Sequence, residues 1–384
     1  MKKRTDDNVN NIAYRFLVMP SDEQKGIFAM AFGCKRFIYN TMLYDESFHY
    51  QQMGTALHNE VTDYKDVYPF LCKVDSLVLA NAKLSLDRAF ESFFNGDADY
   101  PTYKKKTGRQ SFTTNCSNKK KPNLYYDESG HTVKLPKVRE PLRVRAHRRI
   151  KPGGVLKSAT VSLEPDGRYY ISLLYEYPEA HASHDIDTLK AIGLDMSMGH
   201  LYMDSNGDLA DYPNYYRLME PILAREQAKL SHMVKGSNNY KKQKKRIARL
   251  HAKTKHQRRD FLEKLSYNLV MMYDIICIES LSMKGMSRTL NLGKSVHDIG
   301  WGSFVSMLER KCRRYGKKLI KVDRSYPSTQ RCSCCGSLKP MQLSERLYQC
   351  PVCDNFMDRD WNSAVNILEE GLRIYNEQLL PVAA

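Results

Sequence analysis

Four cysteines near the carboxyl end of the chain have the spacing of a metal site. Cys332 and Cys335 are separated by two residues, and Cys350 and Cys353 repeat that gap after fourteen intervening residues. Two such pairs supply four thiolates, which suit Zn²⁺ because this ion accepts a closed tetrahedron of sulfur ligands and has no redox chemistry. The spacing predicts one structural zinc ion in a ribbon, with Cys334 outside the ligand set.

Three acidic residues could do chemistry of a second kind. Asp195 and Glu279 each end an apolar run typical of a buried strand, and Asp360 lies at the start of the last predicted helix. Each alone has an ordinary explanation, as a solvated acid at a strand end or an acid favoured by the helix dipole. Their recurrence where α/β sheets place their sites predicts instead a carboxylate site for two Mg²⁺ ions. Such ions, about 4 Å apart, would support phosphodiester hydrolysis by activating water and stabilising the leaving oxygen.

The elements that must position these residues fall into two parts. In the first, residues 12–20 alternate like a strand, and helices are predicted from Ser21 and over Ser76–Phe94, so residues 21–95 form a small helical insert. Residues 100–180 consist of short runs separated by turn signals, which predicts an antiparallel β-barrel that also uses the first strand.

The second part alternates strands with helices. A buried strand ends at Asp195, a hairpin turns at Asn206-Gly207, and residues 217–272 are helical with a break near Lys235. An apolar strand ends at Glu279, and a helix over about 301–315, a strand and a last helix from about Arg359 follow. This order predicts an α/β layered domain, so the fold class is α/β plus a β-barrel.

Composition limits the partners. The 384 residues carry 60 Lys and Arg against 43 Asp and Glu, a formal charge of +17, which favours a polyanion and above all nucleic acid. An anionic membrane surface is the weaker alternative, because the basic residues border no amphipathic anchor and no apolar run reaches the roughly 18 residues of a membrane span. The polar start of the chain lacks a signal peptide, so we expect an intracellular protein whose ten cysteines are ligands or buried thiols.

Basic segments mark candidate contacts with phosphates. Residues 240–259 carry ten Lys or Arg and no acid, while Ile247 and Leu250 keep a helical period, which predicts a helix lying along a nucleic-acid backbone. Two further lysine runs, 104–106 and 119–121, flank a predicted strand. The candidates from these segments are Lys104, Lys105, Lys241, Lys245 and Arg249.

Several stretches resemble the TnpB family, the transposon-encoded RNA-guided DNA endonucleases related to type V CRISPR effectors. The segments "GLDMSMGHLYMDSNG", "IESLSMKGM" and "CSCCG…CPVCDNFMDRDWNSAVNI" are similar to the three split motifs of its RuvC nuclease domain. Upstream, "FGCKRFIYN", "LDRAFESFF", "YPTYKKKTGRQSF" and "RRDFLEKLS" also match, so the resemblance spans nearly the whole chain. The chain departs from the family at Asp354, where glycine is frequent, and at Glu263, where histidine is frequent.

The resemblance implies a domain plan and a catalytic set. It implies an RNase H-like RuvC domain whose catalytic acids are Asp195, Glu279 and Asp360, with Asp358 capping the helix or orienting Arg359. The implied domains are a wedge β-barrel (1–20 and 96–182), a helical recognition insert (21–95), the RuvC domain (183–328 and 356–384) and a zinc ribbon that binds target nucleic acid (329–355).

It also implies the partners. A guide RNA from the transposon end and a double-stranded DNA target would bind, as a monomeric ribonucleoprotein in the prokaryotic cytoplasm near the nucleoid. A short transposon-adjacent motif would be read by the wedge and recognition regions, where the candidates are Lys73, Ser76, Asn81, Thr114 and Asn115. One RuvC site would cut both strands in turn.

Two other functions stay open at this point. A nuclease-silent RNA-guided repressor would be signalled by the loss of an acid, and none of the three is missing. A transposase catalysing strand transfer would use the same carboxylates, because hydrolysis and transfer differ only in the nucleophile.

Overall fold

A computed structural model describes residues 9–117, 122–178, 189–197, 199–281, 300–342 and 344–379. These residues belong to two compact units, Met1–Glu179 and Ala180–Ala384. Residues 181–187 and the lysine run 119–121 lie outside the described residues. Within the described part of the chain, no helix is both long and apolar enough to cross a membrane.

The first unit is built on a seven-stranded antiparallel sheet of spatial order β2-β6-β7-β1-β5-β4-β3. Its strands are β1 (Val9–Val18), β2 (Gln110–Asn115), β3 (Tyr125–Asp127), β4 (Thr132–Lys134), β5 (Leu142–Arg145), β6 (Val155–Leu163) and β7 (Tyr169–Pro178). Strand β1 begins earlier than the predicted residue 12 and pairs with β7 along its whole length. Among the described residues no ladder joins the end strands β2 and β3, so the predicted barrel has the form of an open sheet.

Helices cover one face of this sheet. They are α1 (Asp22–Met53), α2 (Val61–Val67) and α3 (Ser76–Phe94), with a 3₁₀ turn at Pro69–Lys73. Helix α1 begins at the predicted position with a capping box: Gln24 N donates to Ser21 Oγ, and Ser21 N donates to Gln24 Oε1. Phe28 and Phe32 of α1 pack against Phe112 of β2, which fastens the helix to the sheet.

The second unit contains a four-stranded sheet of order β11-β10-β8-β9. Its strands are β8 (Ala191–Asp195), β9 (Met203–Asp204), β10 (Ile275–Glu279) and β11 (Lys318–Val322), and a separate hairpin pairs β12 (Leu347–Gln349) with β13 (Phe356–Asp358). Strands β8, β10 and β11 run parallel. Strands β8 and β10 are apolar almost throughout because both faces of a parallel sheet are covered.

The helices described in the second unit follow the predicted order. They are α4 (Tyr215–Ser231), α5 (Asn238–Met272), α6 (Trp301–Tyr315) and α7 (Arg359–Leu379). The break between α4 and α5 lies where the sequence predicts it, and so does the hairpin turn, in which Gly207 N donates to Asp204 O.

Two glycines let α7 lie directly on the sheet. A Cβ atom at Gly193 of β8 would lie 2.2 Å from Ala364 O, and one at Gly371 of α7 would lie 2.2 Å from the Cys277 sulfur on β10. A side chain at either position would force the helix away from the strands. These contacts fix α7 against the two strands that end in Asp195 and Glu279.

Candidate active site and metal centre

Asp195 and Glu279 lie at the same edge of the parallel sheet. Leu194 pairs in register with Ile278, so the next residue on each strand, Asp195 and Glu279, projects from the carboxyl ends of neighbouring strands. Asp195 is buried and Glu279 is partly buried. Both acids are therefore held by backbone ladders rather than by loops.

Asp360 comes to this edge on the first turn of α7. The Asp358 carboxylate accepts hydrogen bonds from Asp360 N (2.8 Å) and Trp361 N (3.1 Å), which caps the helix as predicted. The two oxygens of Asp360 have different partners. Arg359 donates to Oδ1 through Nε (3.1 Å) and a terminal nitrogen (2.9 Å), while Ser197 Oγ donates to Oδ2 (3.0 Å).

Burial and neighbouring charge act together on Asp195. Burial raises the pKa of its carboxyl well above the usual range, and the negative charges of Asp360 and Glu279 raise it further. The Ser363 hydroxyl and the Arg359 charge lower the pKa in part, although the Ser363 hydroxyl makes no hydrogen bond of normal geometry. Burial also raises the pKa of Glu279, to about 7. Three carboxylates from three elements therefore share one electrostatic environment.

The four predicted cysteine ligands also come together. Their sulfur atoms all lie within 4.8 Å of one another, with Cys332 and Cys353 3.6 Å apart and Cys335 and Cys350 3.5 Å apart. Among the described residues, only these cysteines form a group of three or more possible metal ligands with all ligand atoms within 4.8 Å of one another. The carboxylates of Asp195, Glu279 and Asp360 are farther apart than this.

Hydrogen bonds favour the thiolate form of Cys350, whereas contacts with the other three cysteines raise the pKa of Cys353. The Ser337 hydroxyl lies 3.1 Å from the Cys350 sulfur and is the main cause that lowers the pKa of that thiol to about 6. Val352 N also donates to the Cys350 sulfur at 3.4 Å, and Cys334 N donates to Cys332 in the same way. The set fits a metal ion that binds thiolates in a tetrahedron.

Two asparagines of α7 bind the ribbon to the acid-bearing helix. Asn362 is fully buried; its Nδ2 donates to Arg331 O (2.7 Å) and its Oδ1 accepts from Ser333 N (3.0 Å), inside the first cysteine pair. One turn later, Asn366 Nδ2 donates to Ser328 O (2.8 Å) and Arg331 O (2.7 Å). The sulfur cluster and Asp360 are thus joined through one helical turn.

The predicted base-reading residues of the first unit lie around the start of α3. The Asn81 amide donates to Leu77 O and to Thr113 O on β2, and Ser76 accepts from Lys65 Nζ (3.1 Å). Thr114 is 1% exposed and donates to the Asp75 carboxylate that caps α3. The hydroxyl of Thr114 therefore supports the helix start in this structure, and its contact with a base stays a prediction.

The other candidates of the first unit are accessible to different degrees. Lys73 is exposed at the end of the 3₁₀ turn. Asn115 is partly buried at the end of β2, where the Asn115 carbonyl accepts from Asn123 Nδ2 at 3.2 Å. Lys104 and Lys105 are exposed beside a cavity.

In the second unit, the three basic candidates share one face of α5. Lys241, Lys245 and Arg249 recur at intervals of four residues and are exposed, while Gln243 and Ile247 on the other face are buried. The helix is held to α4 by Glu226, which is fully buried and accepts from the Gln243 amide (2.8 Å) and pairs with Arg246 (3.1 Å). Lys241, Lys245 and Arg249 on the exposed face take no part in these contacts with Glu226.

Sequence reasoning missed Ser197, the double contact of Asn362, and three basic residues of the first unit, Lys35, Arg36 and Arg109. Lys35 and Arg36 interrupt the apolar face of α1 next to Cys34, and a pair of cations there is the signal that could have drawn attention to them.

Sequence profiles of known families match three parts of the chain. Residues 301–367 match a domain described as "Cas12f1-like, TNB domain", and residues 172–290 match a family described as "Probable transposase". A helix-turn-helix profile matches residues 10–55, although these residues form β1 and the single long helix α1 here.

Whole-chain relatives extend these matches. A Streptomyces pristinaespiralis protein named "Putative RNA-guided DNA endonuclease" is 33% identical, over 94% of this chain and 89% of its own length. The Escherichia coli K12 protein "Putative RNA-guided DNA endonuclease InsQ" is 28% identical, over 94% and 92%. The solved structure of a Cas12f1–sgRNA–target DNA complex contains a chain that aligns with a TM-score of 0.55 at 14% identity, over 90% of this chain and 83% of that one.

The structural likeness defines the fold: the chain has a Cas12f1-like architecture. Since the similarity to the Streptomyces relative extends over nearly the full length of both proteins, the chain belongs to the TnpB family, as its motifs indicate.

Proposed function

We propose that this protein is an RNA-guided DNA endonuclease encoded by a transposon, and that Asp195, Glu279 and Asp360 are its catalytic acids. The observation that supports this most strongly is the geometry of the sheet edge: Asp195 and Glu279 end neighbouring parallel strands, and Ser197, two residues beyond Asp195, donates to Asp360. A fold has no structural need to place two acids beside a third that is buried, because their repulsion opposes folding. A functional cation would relieve that repulsion.

The donor set fits Mg²⁺. Carboxylate oxygens are hard ligands, and Mg²⁺ takes only a few of them because it keeps several of its waters. Among the described residues neither Asp195 nor Glu279 forms an ion pair with a lysine or arginine, which leaves both available as ligands. The three carboxylates are too far apart to bind a single ion together. Their spacing suits a pair of ions about 3.5–4 Å apart. When bound, such a pair supplies an activated water and a counter-charge for the leaving oxygen.

The chain's own residues have separate tasks. Asp195 and Glu279 hold fixed positions because each ends a strand in a parallel ladder. Asp360 is oriented by Arg359 on one oxygen and by Ser197 on the other, so its carboxylate cannot rotate freely. Because the pKa of Asp195 is raised, a cation that binds this carboxylate would compete with a proton.

The cysteine cluster is proposed to hold one structural Zn²⁺ ion. Four thiolates leave no open coordination position, which is the arrangement of structural rather than catalytic zinc. Because Asn362 bonds to Arg331 and Ser333, an ion held by the cysteines would rigidify the segment that contacts the start of α7.

The domain plan of the family is proposed for this chain. The open sheet with β1 would be the wedge domain (1–20 and 96–182), the helices of residues 21–95 the recognition insert, and the sheet with the acids the RuvC domain (183–328 and 356–384) interrupted by the ribbon (329–355). The change of unit at residue 179 supports a boundary near the end of β7.

Guide RNA and target DNA are the proposed partners. The guide would select the sequence by base pairing, and the protein would read a short flanking motif with residues near the start of α3 before both DNA strands are cut. The exposed row of Lys241, Lys245 and Arg249 would contact phosphates. Support comes from the names of the relatives and from the excess of basic residues.

The test uses protein purified with RNA from its transposon end. It should cut DNA that matches the guide only when a divalent metal is added, and Asp195→Ala should bind that DNA without cutting it. Asp211→Asn is the matched control, because Asp211 is an exposed acid of the same unit whose partner is His200. Cleavage by Asp195→Ala at the rate of the control would overturn the assignment.

The same assay separates the alternatives. A nuclease-silent repressor would bind guide and target and leave the DNA intact with every metal. A transposase would yield joined strands, detectable as a product longer than either substrate strand.

A further inference from the structure

A single tryptophan follows the proposed metal ligand Asp360 on α7. The chain has two tryptophans: Trp301 is buried in the core of the second unit, whereas Trp361 is 37% exposed. Isolated exposed apolar side chains are common in proteins, so exposure alone indicates nothing. Trp361 differs from such side chains in how its indole is held and in where it lies.

Two contacts fix the indole of Trp361. Its Nε1 donates to Ser205 O at 3.1 Å, so the one polar group of the ring has a partner within the chain. A Cβ atom at Gly207 would lie 3.2–3.4 Å from the ring atoms Cε2, Cδ2 and Cζ2. Since Cε2 and Cδ2 form the bond shared by the two rings of the indole, Gly207 contacts the face of the indole and not its edge.

The turn beneath the indole is bound to the strand that ends at Asp195. Ser205 N donates to Gly193 O (3.0 Å), and Gly193 N donates to Ser205 Oγ (3.2 Å). Within the turn, the Asp204 carboxylate accepts from Asn206 N (2.9 Å). Because Gly193 belongs to β8, these bonds keep the indole at a fixed place relative to Asp195. A ring that is already ordered loses little entropy when it binds a ligand.

One face of the indole is open beside the acids. Gly207 covers one face and Ser205 O binds the N–H group, so the exposed surface of Trp361 is left on the opposite face. The Asp360 carboxylate lies near Ser197 beyond the end of β8, and the indole lies over the turn that follows β9, the next strand of the sheet. Neighbouring strands are about 4.8 Å apart, so the ring is within reach of a nucleotide whose phosphate lies at the acids.

We propose that Trp361 contacts the substrate, and that an unpaired base of the DNA strand stacks on its open face while the backbone of that strand lies at the acids. The inference rests on the proposed function, in which the guide displaces one DNA strand from its complement. Every base has a π face, so an indole binds it whatever the sequence. A lysine or arginine at this position would place a positive charge next to the metal site and repel the cations. An uncharged aromatic ring holds the strand without that repulsion.

The test uses tryptophan emission as the readout. RNA-loaded full-length protein is titrated with matching labelled duplex without added divalent metal, so the DNA stays intact, and the anisotropy of the label reports binding in the same samples. Trp361→Phe keeps an aromatic face and leaves Trp301 as the only tryptophan, so the difference between the two proteins is the emission of Trp361. Since a stacked base quenches an indole, bound DNA should remove most of this emission and leave that of buried Trp301 unchanged.

Probes that lack single bases separate stacking from backbone contact. In a series of duplexes, one nucleotide at a time of the displaced strand is replaced by an abasic nucleotide, which keeps every phosphate. We expect the quenching to disappear at one position, or at two adjacent positions, near the cut. Quenching that persists with every abasic probe would overturn the inference, as would unchanged Trp361 emission on a bound duplex. These two measurements need no variant that removes the aromatic ring.

Substitutions give the magnitude. RNA-loaded Trp361→Ala should bind a single-stranded DNA that does not match the guide about 5- to 100-fold less tightly, the effect of one lost base–aromatic stack, and Trp361→Phe should restore most of the affinity. Leu209→Ala is the matched control, because Leu209 is an exposed apolar side chain of the same hairpin without a π face. An equal loss in Leu209→Ala would contradict stacking. A failure of the proposed function is different, since the unmodified chain would then bind no guide-matched duplex.

Discussion

Replacing Asn362 by alanine tests whether the cysteine ribbon positions the catalytic helix. Asn362 is fully buried and links Ser333 N (3.0 Å) and Arg331 O (2.7 Å) to the first turn of α7. Alanine leaves the Ser333 amide without this acceptor, whereas Arg331 O keeps its hydrogen bond from Asn366. Leaving this partly buried amide unsatisfied costs about 1–3 kcal/mol, and the small cavity adds about 1 kcal/mol.

We therefore expect Asn362→Ala to lower the free energy of unfolding of the second unit by about 2–4 kcal/mol, which for a unit of this size is a melting temperature lower by roughly 5–15 °C. Below the melting transition the folded variant should release its metal to a colorimetric chelator faster, because Ser333 lies between two of the cysteines. Single-turnover DNA cleavage should fall by about tenfold to a hundredfold, since small displacements of catalytic groups have effects of this size.

The matched control is Asn376→Ala, an exposed asparagine on the same helix, which should leave all three quantities unchanged. The reasoning is refuted if Asn362→Ala melts and retains metal like the control. It is also refuted if cleavage falls while metal retention and stability do not, because the asparagine would then act directly in the reaction.

Three further predictions follow from packing, burial and ligand geometry. Gly193→Ala should destabilise the second unit by about 3 kcal/mol or more, because the new Cβ would lie 2.2 Å from Ala364 O. The control Gly33→Ala should be neutral or slightly stabilising in thermal unfolding, because nothing lies within 4 Å of its new Cβ. Burial, with the charges of Asp87 and Asp45 opposing that of Lys83, raises the pKa of Glu46 to about 7, so the folded state favours its protonated form. The native chain should therefore lose stability as pH rises from about 4.5 to 7. Because the site is only half-buried, Glu46→Gln should raise the free energy of unfolding in urea by only about 1–2 kcal/mol at pH 8, and by nothing near pH 4. An equal gain at both pH values would refute the burial argument. Acid digestion should release one zinc per chain from the native protein and from Cys334→Ser but less from Cys350→Ser, and full retention by Cys350→Ser would show that the cluster is not the zinc site.

The sequence predicted the elements of the second unit well because strong local signals defined them. The helix over 301–315, the last helix predicted from about Arg359 to Glu377 and observed to Leu379, and the strands ending at Asp195 and Glu279 follow from apolar periodicity and length. The cysteine spacing likewise indicated the cluster, since two close pairs restrict the geometry before the chain folds.

Other features depend on long-range packing and leave little local trace. The close approach of α7 to the sheet needs Gly193 and Gly371, which are 178 positions apart and look ordinary in sequence. The Asn40 side chain on α1 accepts from Lys104 N and donates to Lys104 O, and this contact is visible only when both segments are in place. The open edge of the first sheet was missed for the same reason, because turn signals predict strands but not whether the first and last of them meet.

The central claim is that Asp195, Glu279 and Asp360 hold a pair of metal ions. Crystals of the full chain soaked in Mn²⁺, which scatters anomalously and accepts the same ligands as Mg²⁺, test this directly. We predict two anomalous peaks about 3.5–4 Å apart among the three carboxylates, both lost in Asp195→Asn. Peaks confined to other acids of the chain, with none at this edge of the sheet, would contradict the account.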